Sequence, residues 1–87
     1  MKRLIILTTA MALIMTSCYT DPVADFIFSP SDPLVGEDVY FENLSYDADA
    51  FQWEFDDGSG SPAFNPVHAF MTPGTYNVTL KAFGDKS

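Results

Sequence analysis

Tyr76, Val78, Leu80 and Ala82 occupy alternate positions of one run, with Thr75, Asn77, Thr79 and Lys81 between them. A period of two puts the first set on one face of an extended strand and the second on the other, which no helix does. The same alternation recurs upstream. Ala24, Phe26 and Phe28 alternate ahead of a break at Ser29-Pro30-Ser31-Asp32-Pro33. Val39, Phe41 and Asn43 do so within residues 37–45, and Phe51, Trp53 and Phe55 do so before a turn-rich stretch at 56–62. A short run over 66–70 completes the set. Several short strands separated by Gly, Pro, Asp and Ser predict an all-β chain, an antiparallel sandwich with one face of each strand buried.

A sandwich this small needs a source of stability. Cys18 is the only cysteine and His68 the only histidine, so neither an internal disulfide nor a zinc site of Cys/His type can form. Packing must carry the load, and all eight Phe, all four Tyr and Trp53 follow Cys18. Each buried ring removes a large apolar area from water. Charge divides the chain at the same point. Lys2 and Arg3 precede Cys18, while after it only Lys81 and Lys86 stand against 12 acidic residues. Such a surface repels phosphate backbones and anionic headgroups, so no nucleic-acid partner is expected and membrane attachment cannot be electrostatic.

The N-terminus reads as an address. Lys2-Arg3 is followed by an uncharged apolar run over 4–15, which matches the h-region of a signal peptide. As a helix that run would span about 18 Å against a hydrocarbon core of about 30 Å, too short for a comfortable membrane span. A cut after Ala10-Met11-Ala12 would leave too short an h-region. Met15-Thr16-Ser17-Cys18 fits better and resembles the bacterial lipobox, with Met15 where Leu is usual. The resemblance implies lipid on the thiol and cleavage just before it. Two or three acyl chains make membrane attachment stable where one does not. The expected organisation is a signal peptide over 1–17, a lipid-anchored tether over 18–23 and a β-sandwich domain over 24–87.

Three motifs in the domain support a further resemblance. Trp53-Glu54-Phe55-Asp56-Asp57-Gly58-Ser59, Asn65-Pro66-Val67-His68-Ala69-Phe70 and Pro73-Gly74-Thr75-Tyr76-Asn77-Val78-Thr79-Leu80 are similar, in order and spacing, to the polycystic kidney disease (PKD) domain. Asp56 stands where that family usually has Gly, which implies a locally reshaped turn. The resemblance implies an immunoglobulin-like β-sandwich used as a spacer or interaction module in extracellular proteins, including bacterial polymer-degrading hydrolases. It makes Trp53, Asp57, Gly58, Asn65, Pro66, His68, Gly74 and Tyr76 structural motif residues.

The residues read the same way by themselves. Trp53 lies mid-strand between same-parity apolar neighbours, the position of a core ring. Asn65 precedes a proline and suits a hydrogen bond within its own loop. Nucleophilic catalysis needs a base beside an activated hydroxyl or thiol and a third group to orient that base. One histidine offers little for this, and Asp56-Asp57 are too close in sequence to face each other across a cleft. No enzyme and no cofactor are expected. Calcium is the one ligand left open, with Asp47, Asp49, Asp56 and Asp57 as loop carboxylates that otherwise stay solvated.

One absence stands out. The strand over 75–83 is followed by a plausible turn at 84–86, with no further strand to pair beyond it. The sandwich is therefore expected to lack its last strand, leaving an edge of unpaired N–H and C=O groups blunted only by Lys81. A C-terminal continuation, a strand-donating partner or a shift of the first strand would each close it. Two functions follow: a tethered module for protein or glycan contact on the periplasmic or cell-surface side, or the N-terminal piece of a larger lipoprotein hydrolase.

Overall fold

The computed structural model describes residues 4–13 and 21–84, and among them there are strands and no helix. The strands are β1 (Leu4–Leu13), β2 (Phe26–Ser29), β3 (Asp38–Asn43), β4 (Ala50–Glu54), β5 (Gly60–Ser61), β6 (Val67–Ala69) and β7 (Gly74–Phe83). They form two sheets, one four-stranded in the order β1-β7-β4-β5 and one three-stranded in the order β2-β3-β6. Every pairing is antiparallel except β1 with β7, which is parallel.

Alternation becomes burial along each long strand. In β3, Val39, Phe41 and Asn43 are buried while Asp38, Tyr40 and Glu42 are exposed. In β7, Tyr76, Val78, Leu80 and Ala82 are buried, three of them with no exposed surface at all. Between the sheets these meet Phe26, Trp53, Phe55 and Phe70. Trp53 is fully buried, with its ring 5.0 Å from Phe26 edge-on and 5.4 Å from Phe41. Its register links both neighbours of β4, opposite Leu80 of β7 on one side and Ser61 of β5 on the other.

The expected open edge of the last strand is not open. Leu4–Leu13 lies along it in parallel, from Leu4 opposite Gly74 to Leu13 opposite Phe83. The physical reason is a match of needs. β7 carries on that side backbone groups that require partners, and the segment over 4–13 is extended, uncharged and of equal length. Leu4 is buried at the core's margin, its N–H donates to the Pro33 carbonyl at 3.2 Å, and Ile6 packs partly buried against the core. Ile5 and Leu7 face outward and stay exposed. Cys18 and the turn residues after Gly84 lie outside the described residues.

The stretch at 56–62, read from sequence as a turn throughout, also contains β5, whose two residues fold back on Trp53 and Glu54. Gly60 permits this. A Cβ there would lie 2.6 Å from the Trp53 carbonyl oxygen, closer than a side chain can approach.

Candidate functional site

Of the motif residues, Asp57, Gly58 and His68 meet at one corner, where β4 ends and β5 and β6 pass beside it. β4 stops because Asp56 turns to φ 65° and Gly58 to φ 89°, both in the left-handed region. Glycine reaches that region at no steric cost, and Asp is among the few other residues that do so readily. This explains how Asp56 stands where glycine is usual. Its side chain also replaces something lost. Extending the β4–β7 register beyond Glu54 opposite Thr79 would set residue 56 opposite Asn77. With the backbone turned away there, the Asp56 carboxylate accepts the Asn77 N–H at 3.0 Å.

Asp57 organises the rest of the corner. Its Oδ1 accepts from the Ser59 N–H at 3.0 Å and from the Ser59 hydroxyl at 2.5 Å, and its Oδ2 lies 2.7 Å from His68 Nε2. Burial raises the Asp57 pKa, but the hydrogen bonds from Ser59 and His68 outweigh it and hold the carboxyl below its ordinary value. The imidazole is fixed in turn by rings. It stacks on Phe55 at 4.3 Å and meets Phe70 edge-on at 4.6 Å. His68 on β6 thus clips the loop after β4 across from one sheet to the other.

Ser59, Asp57 and His68 are the three residue types of a hydrolytic triad in the wrong order. In a triad, the imidazole sits between hydroxyl and carboxylate and takes the hydroxyl proton. Here the carboxylate sits in the middle. An ionised carboxylate only accepts, so both His68 Nε2 and the Ser59 hydroxyl donate to it, and Nε2, 3.5 Å from Ser59 Oγ, has its proton engaged there and does not serve as the hydroxyl's base. The arrangement braces a loop.

The other motif residues are likewise engaged within the scaffold. The Trp53 indole donates to the Ala63 carbonyl at 2.8 Å. Asn65 Oδ1 accepts the Asn43 N–H at 2.8 Å, and the Pro66 carbonyl accepts the Phe41 N–H at 3.0 Å, so the segment before β6 extends the pairing with β3. Gly74 opens β7. Tyr76, near its start, donates its hydroxyl to the Thr72 carbonyl at 2.7 Å and meets the Thr72 hydroxyl at the same distance, the tie of a tyrosine corner in immunoglobulin-like sandwiches.

The acidic loop residues do not gather. Among the described residues, no group of three or more His, Cys, Asp or Glu side chains is placed to hold a metal ion. Asp56 and Asp57 accept protein hydrogen bonds, while Asp47, at φ 58°, and Asp49 lie in the loop before β4.

A different surface escaped the sequence reading. On the outer face of the β2-β3-β6 sheet, Tyr40 lies opposite Val67 and Ile27 opposite Glu42. Tyr40, Ile27 and Val67 are each more than half exposed and edge a shallow groove of about 280 Å³. The signal was present in the alternation itself, because the outward positions of these strands hold large apolar side chains where polar ones are usual.

Two sheets over an aromatic core, with the motif's polar groups turned back on the scaffold, define an immunoglobulin-like sandwich of the binding or spacer class. The chain belongs to the PKD domain family, whose model matches residues 19–87. Domains of this family are generally non-catalytic modules of extracellular proteins.

Proposed function

We propose that this chain is a non-catalytic spacer or binding module held at an extracytoplasmic membrane surface by lipid on Cys18. The observation that carries the first half is the corner itself. Ser59 and His68 both donate to Asp57, so the imidazole nitrogen nearest the hydroxyl spends its proton on the carboxylate and is not free to act as its base. The anchor rests on Lys2-Arg3, the apolar run after it and Met15-Thr16-Ser17-Cys18, with the family match beginning at the next residue. Partner contact with a protein or glycan falls to the outer face carrying Tyr40, Ile27 and Val67, which offers ring and apolar area beside the Glu42 carboxylate. Metabolic labelling with a fatty acid tests the anchor. The wild type is expected to take up label and fractionate with membranes, and Cys18→Ala to do neither. A Cys18→Ala form that stays with membranes would overturn the reading.

A further inference from the structure

The contact between β1 and β7 joins two segments with incompatible requirements. A leader that enters a bilayer must satisfy its backbone within itself, which in a single segment means a helix. In the folded chain the same residues are extended, their backbone paired with β7 from Leu4–Gly74 to Leu13–Phe83. The pairing is also built into the core. Leu4 is only 2% exposed, its N–H is held by Pro33, and Ile6 packs against the buried cluster. A chain in the folded state therefore cannot present this segment to a membrane, and in a chain whose leader is in a membrane β1 no longer covers the β7 edge.

We propose that the β7 edge is the docking surface for the chain's own leader, and that docking there withholds the leader from membranes once the domain has folded. The inference rests on the reading of residues 1–17 as an export signal. It gives the edge two occupants in turn. In the uncleaved chain the leader closes it; after cleavage before Cys18 it is vacated and open to another extended, uncharged strand.

The test uses the full, uncleaved and unlipidated chain with vesicles of phosphatidylethanolamine and phosphatidylglycerol. Order of addition is varied with the wild type alone: folded before the vesicles are added, or diluted from denaturant directly into them. The folded chain is expected to stay in solution and the diluted chain to float with the vesicles. Leu4→Lys places a charge at a buried site while lengthening the leader's positive start. It is expected to raise flotation of the folded chain at least about tenfold and to speed exchange of the β7 amides that face β1. Ile5→Lys adds the same charge at a position 57% exposed and is expected to behave as wild type in both measurements.

Folded wild type that floats as fully as the chain diluted from denaturant would overturn the docking inference, and this comparison stands even if Leu4→Lys does not fold. Ile5→Lys floating like Leu4→Lys would also overturn it, since the effect would then be one of leader charge. Failure of the diluted wild type to float would overturn the leader reading beneath it, and the exchange data would still report whether β1 covers β7.

Discussion

The corner around Asp57 and the edge of β7 solve one problem by different means. Both must satisfy polar groups where regular pairing gives out. At the corner the answer comes from side chains: the Asp56 carboxylate caps Asn77, and Ser59 and His68 close on Asp57. At the edge it comes from backbone supplied by a segment about seventy positions earlier, with Leu4 opposite Gly74. A side-chain solution is written in specific residues at fixed spacing and admits little substitution. A backbone solution asks only for an extended segment of suitable length and apolarity, so it can exchange occupants.

The largest effect should come from the residue that serves both regions. Trp53→Ala is expected to cost about 3–5 kcal/mol in denaturant unfolding, because it empties the core where the ring meets Phe26 and Phe41 between the sheets. Corner and edge should lose amide protection together. Retention of near wild-type stability would mean that the two regions do not share this core.

His68→Ala should separate them. It removes a hydrogen bond to an ionised carboxylate and a ring held between Phe55 and Phe70, an expected loss of about 2 kcal/mol. Hydrogen exchange should quicken in β5 and β6 before it does in the β7 amides facing β1. Equal loss at both places would break the comparison.

Asp56→Ala is expected to cost about 1 kcal/mol, since it strips the cap from Asn77 and leaves a Cβ in the left-handed region. Asp56→Gly should recover part of that loss by relieving the backbone while still leaving the N–H uncapped. If glycine proves as costly as alanine in thermal melts, backbone conformation is not part of the effect.

The smallest expected effect is one of acidity. The Asp57 carboxyl lies below its ordinary value of about 3.9, so its ionised form is favoured by folding. The stability it contributes is complete above that ordinary value and is lost as pH falls through the lower folded value. Unfolding curves from pH 5 down to pH 2 should show this loss, and His68→Ala should shrink it by removing one of the bonds that depress the pKa.

The two regions also differ in how far they could be read in advance. Alternation in β3 and β7 was legible because each strand has one buried face, and burial follows period two almost residue by residue. The departure at Asp56 was legible as a changed turn, though not its capping of Asn77, which depends on where β4 stops. His68 could be singled out as a motif residue, but its partners could not be named, because the Asp57-Gly58-Ser59 turn and β6 meet only across the sheets. β5 was hidden by its composition: Gly60-Ser61 reads as turn and becomes a strand only against Trp53. The covering of β7 was legible merely as a need. Which segment meets it is a question of long-range pairing, and an apolar, uncharged run at the N-terminus has the composition of a leader as well as of an edge strand.

The position of β7 inside its sheet bears on the order in which the chain can assemble. Among the described residues it comes after the other strands in sequence, yet β1 and β4 pair with it and not with each other. Until residues 74–83 have left the ribosome, the four-stranded sheet can have no more than the small β4–β5 hairpin, and the buried Trp53 of β4 has no Leu80 opposite it. Pairings this distant in sequence form slowly. The three-stranded sheet can pair before that point, since β2, β3 and β6 all precede β7, so what waits for β7 is the closing of the core between the two sheets.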